Sequence, residues 1–148
     1  MTLRPRLFRI ISRTCIAAYR MLPLFGALRG AIAVVRRNDR YVMVRRADAL
    51  GLCFPGGLAH PWESLETTLR REIEEETGLA VQHIQPWFEY RDNQLYPTQI
   101  SVFHAETDGE IRSSWEGDAV IVDLAEMEAN IIVSQREVVS RLKGLSKQ

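Results

Sequence analysis

The stretch from Gly57 to Leu79, GLAHPWESLETTLRREIEEETGL, decides how the chain is read. Ser64 offers a hydroxyl to the free N–H groups of a first helical turn. Residues 65–76 contain no Gly or Pro and are rich in Leu, Glu and Arg, all good helix formers. Gly78 stands where a left-handed C-cap residue belongs. The stretch therefore predicts a loop, a helix of about three turns and a closing turn. On that helix Leu65, Leu69 and Ile73 form one apolar stripe that needs a core to cover it. Glu72, Glu75 and Glu76 are spaced i, i+3 and i+4 and share a neighbouring face. Glu76 falls at the angle of the apolar stripe, and Glu72 at its edge.

Carboxylates that overlap an apolar stripe are costly unless something neutralises them. Two readings of the acids are open at this point. One is a solvated acidic face on a charged helix. The other is a set of oxygen ligands for a hard divalent cation, with Arg71 bracing a neighbouring carboxylate by charge-assisted hydrogen bonds.

The wider spacing is more specific. Gly57, Glu63, Arg71, Glu72, Ile73, Glu75, Glu76, Gly78 and Leu79 follow the order G-x5-E-x7-R-E-(apolar)-x-E-E-x-G-(apolar). With average residue usage, a chance match in one window is on the order of one in 10⁹. The stretch resembles the Nudix box of the Nudix hydrolases, with every defining position filled. The resemblance implies an α/β fold, a Nudix-type α/β/α sandwich with a mixed β-sheet. It further implies an enzyme that splits a pyrophosphate bond in a nucleoside diphosphate linked to another group. Glu72, Glu75 and Glu76 would then be metal ligands, joined by the carbonyl of Gly56 just before the box. Glu72 would be the base that activates water, with Arg71 orienting it and Glu75 completing the catalytic set. Gly57, Glu63 and Gly78 would be structural. Mg²⁺ is the implied ion, with Mn²⁺ as a substitute, because both favour oxygen ligands.

A further acid from the second half of such folds often assists, and Glu116 and Asp118 are the candidates here; both also read as plain loop acids. Within the box loop, His60 and Trp62 stand where the family often has Glu and Gly. Trp62 is read either as a surface for a base or ribose or, by preference, as a cover for the core edge. Tyr96, 17 residues past Leu79, lies near where dinucleoside-polyphosphate hydrolases carry a Tyr. The extra signatures of NADH and coenzyme A pyrophosphatases are not matched. A nucleotide-binding module without turnover is the rival reading from another class, and such modules usually lose a box Glu or the Arg. An RNA-end pyrophosphohydrolase is a further alternative.

Length and composition agree with one domain. The chain has 148 residues, 46% hydrophobic and 26% charged, as ordinary soluble domains do. Nineteen basic and nineteen acidic side chains cancel, so net charge predicts neither a membrane nor a nucleic-acid partner. The balance is uneven, because no acid precedes Asp39 while eight arginines do. Two cysteines, Cys15 and Cys53, are too few for a disulfide framework, which points to a reducing cytoplasm. No apolar run approaches the roughly 20 residues of a membrane span.

Residues 1–28 read as a basic amphipathic helical extension and 29–148 as the Nudix hydrolase domain. In the extension Arg6, Arg9, Arg13 and Arg20 share one arc, opposite Leu7, Phe8, Ile11, Cys15, Ala18 and Leu22. The arc is read as the solvated side of a packing helix, with an anionic or membrane-surface role as the alternative. Gly30–Arg37 and Tyr41–Arg46 predict a hairpin across Asn38-Asp39. Residues 47–53 predict a loop. Val81–Tyr90 predicts a strand that Pro86 marks as an edge or a bulge, and Trp87, Phe88 and Tyr90 on it read as core or stacking aromatics. Thr98–Glu106 predicts another strand and Asp118–Asp123 a short one. A last helix is expected to open at Ser134 with a capping box to Glu137. The partner is a small molecule containing a nucleoside diphosphate. Nucleic acid and a homodimer are left open.

Overall fold

A computed structural model describes residues 28–94 and 96–146. The helix expected within residues 1–28 and its arginine stripe lie outside the described residues. The strands are β1 (Leu28–Arg37), β2 (Arg40–Arg46), β3 (Leu52–Cys53), β4 (Gly56–Leu58), β5 (Ala80–Asp92), β6 (Thr98–Asp108) and β7 (Gly117–Val122). The helices are α1 (Leu65–Thr77), α2 (Leu124–Asn130) and α3 (Arg136–Leu145), with a 3₁₀ turn at Val133–Gln135 before α3.

The expected hairpin is β1 and β2, paired antiparallel at Val35–Val42, with Asn38 in the left-handed region at φ 54°. Beyond that register the two strands part. β4 takes the place of β2 along the start of β1, pairing Gly30 with Leu58 and Ile32 with Gly56. β3 pairs with the far end of β2 at Val44–Cys53. The segment expected as a loop thus fills the wedge between two diverging strands, and Pro55 is held there by the Ala33 N–H at 2.9 Å. These strands are two and three residues long, too short for a periodic signal. β6 lies parallel to β1 on its other edge, β5 lies antiparallel to β6 at the edge of the sheet, and β7 pairs antiparallel with β2. The sheet is mixed, and Pro86 sits in an edge strand beside a register shift, as its missing N–H requires.

Alternation along β1 separates two cores. Ile32 and Val34 face a cluster with Met43, Phe54, Met127 and Leu142, roofed by α2 and α3. Ala31, Ala33 and Val35 face the other side with Leu69, Ile73 and Leu79 under α1. The small alanines let α1 approach the sheet closely. Helices on both faces of a mixed sheet make the α/β/α sandwich.

One expectation at the C-terminal end needs correcting. The capping box from Ser134 to Glu137 is not formed. The Ser134 carbonyl instead accepts the Tyr90 hydroxyl at 2.9 Å, and the Gln135 side chain accepts the Phe54 N–H at 2.7 Å. Helix α3 starts two residues later, with Gln135 at its N-cap and no side-chain cap bond. The short α2 was not anticipated. It is capped by Asp123, whose side chain accepts the Glu126 N–H at 2.8 Å, and it buries only Met127. The aromatics of β5 pack on the first core, with the Arg141 guanidinium 4.0 Å above the Phe88 ring. No helix among the described residues is long and apolar enough to cross a membrane.

Candidate active site

Ser64 caps α1 as expected, its side chain accepting the Thr67 N–H, and Gly78 closes the helix at φ 73°. Leu69 and Ile73 are fully buried on the sheet. Glu76 follows them into the interior and is 7% exposed, so the stripe and the acid do overlap. Its Oε2 accepts the Gly56 N–H at 2.9 Å. That bond ties the residue before the box to the last acid within it, 20 positions away.

Arg71 organises the rest. Its Nε and Nη2 grip both oxygens of Glu63 at 3.0 Å. Its Nη1 donates to Glu72 at 2.7 Å and more distantly to Glu75 at 3.4 Å. Glu63 also accepts the Thr68 hydroxyl at 2.9 Å and the His60 N–H at 3.3 Å. Such a planar fork can hold two carboxylates in fixed relation where a lysine could hold only a point. Gly57 completes the arrangement. A Cβ there would lie 2.7 Å from the Glu72 carboxyl, so the bare backbone makes room for that group.

The electrostatics separate these acids. The Arg71 fork holds the Glu63 carboxyl down at about 2, well below its usual range. Burial pushes Glu72 the other way, with Arg71 opposing the rise. Burial lifts Glu76 to about 8, and the charges of Glu72 and Glu116 add to the rise. Glu116, in the loop before β7, is likewise raised by burial and then by Glu72 and Glu75. Four carboxylates from two parts of the chain therefore share one field. Among the described residues no three His, Cys, Asp or Glu side chains enclose an ion by themselves. Mg²⁺ keeps several waters and uses few protein ligands, so three converging side chains are not a requirement for it.

Of the outlying candidates, Glu116 joins the acids. Asp118 is exposed on β7 in register with Arg45. Trp62 does not cover the core edge: it is 83% exposed, with its ring 5.5 Å from that of His60. A flat side chain between Pro61 and the helix cap finds no apolar surface to lie on. Tyr96 is half-buried in the β5–β6 loop, where its carbonyl accepts the Thr98 hydroxyl.

Sequence reasoning passed over Arg46 and Asp48. Arg46 Nε and Nη2 meet the two Asp48 oxygens at 3.0 and 2.7 Å. Asp48 is only 5% exposed. Arg46 is close enough to Glu76 and Glu116 to oppose part of the rise that burial and the neighbouring acids impose on their carboxyls. It also lines a cavity of about 300 Å³ together with Leu50, Asp92, Gln94, Ile132 and Val133. The signal available in the sequence was a lone Asp two residues after a strand-end Arg, a spacing too common to single out. A larger cavity of about 500 Å³ lies between α2 and α3, bounded by Glu128, Arg136 and Lys143, and contains no residue of the box.

A family model of the NUDIX domain matches residues 27–142. The chain belongs to the Nudix family. Solved structures repeat the Nudix fold. The E. coli ORF135 protein superposes with a TM-score of 0.71 at 17% identity, covering 84% of this chain and 94% of that one. A MutT NUDIX hydrolase from Burkholderia pseudomallei gives 0.68 at 20%, covering 77% and 95%. A UDP-X diphosphatase gives 0.68 at 18%, covering 86% and 66%. At these identities the likeness is one of fold. A search of curated proteins finds no match.

Proposed function

We propose that this Nudix protein is a divalent-metal-dependent pyrophosphohydrolase acting on a nucleoside diphosphate linked to another moiety. The observation that carries this reading is the gathering of Glu72, Glu75, Glu76 and Glu116 into one field, with Arg71 bonded to Glu63, Glu72 and Glu75. Carboxylates held partly out of water at such close quarters repel one another, and a bound cation would relieve them. Glu72, Glu75, Glu76 and Glu116 would hold it, with the Gly56 carbonyl as a further oxygen. Mg²⁺ or Mn²⁺ would there neutralise the diphosphate, polarise its P–O bonds and lower the pKa of a bound water.

The protein's own groups divide the remaining work. Glu72 takes the proton of the attacking water, because burial raises its affinity for a proton while its bond to Arg71 fixes the carboxyl in place. Arg71 fixes the Glu72 carboxyl by anchoring on Glu63, whose low pKa keeps that anchor ionised. Gly57 leaves space for the carboxyl. The presence of every box acid and the Arg argues against a binding module without turnover.

The test is a panel of nucleoside triphosphates, ADP-ribose, nucleotide sugars, dinucleoside polyphosphates and triphosphorylated RNA, with Mg²⁺ or with EDTA. Turnover is expected with at least one class, and none with EDTA. Glu72→Gln and Glu75→Gln should each abolish turnover while thermal melting stays cooperative. Near-normal rates in both variants would remove the assignment.

A further inference from the structure

The loop from β4 to α1 starts and ends on Arg71 and Glu72. At its start Gly57 leaves the room that the Glu72 carboxyl fills, 2.7 Å from where a Cβ would stand. At its end Glu63 takes Nε and Nη2 of Arg71 at 3.0 Å, and Nη1 of the same guanidinium donates to Glu72. The chain between these anchors is also held. The Ala59 N–H donates to the Arg29 carbonyl of β1 at 2.8 Å, and residues 60–63 close a β-turn in which the Glu63 N–H donates to the His60 carbonyl at 3.0 Å. Pro61 stands at the second position of that turn, where its fixed φ is favoured. The Glu63 carboxylate braces the turn further by accepting the His60 N–H at 3.3 Å. This braced turn displays aromatic rings. Trp62 is 83% exposed, and its ring lies 5.5 Å from that of His60 with the planes 32° apart. The His60 side chain is itself more than half exposed, with Nδ1 3.5 Å from Oε2 of Glu63. A continuous run of contacts thus leads from Trp62 through His60, Glu63 and Arg71 to Glu72. An indole offers a large flat face, and a turn fixed at both ends holds that face in place before a ligand arrives.

From this arrangement we infer that Trp62 is a specificity-determining residue, stacking on a nucleobase at the Arg71 end of the substrate's phosphate chain. The inference rests on the pyrophosphohydrolase reading for where that chain lies. Stacking engages the π face, which every base has, so the turn selects for a ring and discriminates little among bases. A bare phosphate in that place offers no such face. A substrate with a base at each end of its phosphates, a dinucleoside polyphosphate, meets Trp62 whichever way it lies. A nucleotide sugar brings its base there in only one of its two orientations. Among the proposed substrates the turn therefore favours the class with two bases.

The indole N–H signals of the full-length protein, followed by NMR as AMP or ribose 5-phosphate is added with Mg²⁺, test this without turnover, since neither ligand has an anhydride bond to split. Trp62→Phe assigns the Trp62 signal by its loss. AMP is expected to shift that signal saturably, and ribose 5-phosphate, which lacks the base, to leave it in place. In turnover, diadenosine tetraphosphate is expected to be hydrolysed. Its kcat/KM should fall about tenfold in Trp62→Ala, mainly through KM, the scale of one lost base–aromatic stack, and return in Trp62→Phe. Melting curves establish that each variant folds, and the wild-type titrations stand as a test without them. A Trp62 signal unmoved by AMP, or moved equally by ribose 5-phosphate, would overturn the inference. So would an unchanged kcat/KM in Trp62→Ala, or failure to split diadenosine tetraphosphate in a protein that hydrolyses other members of the panel. An AMP-specific shift at Trp62 in a protein that hydrolyses nothing would instead remove the catalytic reading and leave the stacking residue standing.

Discussion

Replacing Gly57 by alanine separates the position of Glu72 from its presence. The residue does not sit at positive φ, so an alanine meets no backbone strain there. The new Cβ would stand 2.7 Å from Cδ and Oε1 of Glu72 and 3.0 Å from Oε2. Ordinary contact begins at 3.4 Å, so the carboxyl must retreat by about 0.7 Å. It is the end of a flexible side chain, and retreat is therefore cheap for the fold, within about 1 kcal/mol. It is expensive for chemistry, because it pulls Glu72 off the 2.7 Å bond to Arg71. A misplacement on the order of 1 Å in a reacting group can cost about a hundredfold. Gly57→Ala should thus melt near the wild-type temperature and turn over one to two orders of magnitude more slowly on whichever substrate the panel reveals. Rates are read by phosphate or pyrophosphate release and folding by circular dichroism. Full activity with an intact fold would refute the claim that Glu72 must occupy this spot. Gly56→Ala is the contrasting case: its Cβ would meet the Ala31 carbonyl oxygen at 2.1 Å, at φ 144°, so that variant should lose the fold itself.

Leu69→Ala should cost about 2–5 kcal/mol in urea unfolding, whereas Trp62→Ala, at an exposed site, should stay within about 0.5 kcal/mol; a large loss at Trp62 would contradict its position. Asp48→Ala removes a buried partner from Arg46 and should destabilise by about 3 kcal/mol, the low end for a broken buried pair because Arg46 is partly solvated; a neutral result would show that the turn does not depend on the pair. Metal-free stability should depend on pH through Glu76. Its folded pKa of about 8 lies above its ordinary value of 4.5, so its contribution is whole below 4.5 and is lost as pH rises through about 8. Melting temperature in EDTA should fall over that window more steeply in wild type than in Glu76→Gln. Mg²⁺, which binds the ionised form, should raise it most at the alkaline end. An identical slope in the variant would contradict the assignment.

The box helix could be read before folding because its information is local. A cap at Ser64, a glycine stop at Gly78 and an apolar stripe at helical spacing are all properties of one segment. So was the tension between that stripe and Glu76, since both angles follow from a single period. The β3–β4 segment could not be read this way. Its strands are too short for alternation, and they exist because β1 and β2 splay and leave a gap to be filled. Ser134 offered a local cap signal that went unused, and the bonds of its carbonyl to Tyr90 and of the Gln135 side chain to Phe54, far away in sequence, could not be read from the segment.

By itself the sequence determined the acids, the arginine and the helix that carries them, because residues three and four apart on a helix have no choice of neighbour. Only the tertiary structure decided what those acids face. Glu63 reaches Arg71 across eight positions, Gly56 reaches Glu76 across twenty, and Arg46 and Glu116 arrive from β2 and the β7 loop. The reason is physical: protonation, and the hold on any cation, depend on burial and on charges brought near by packing, and neither is a property of a segment alone.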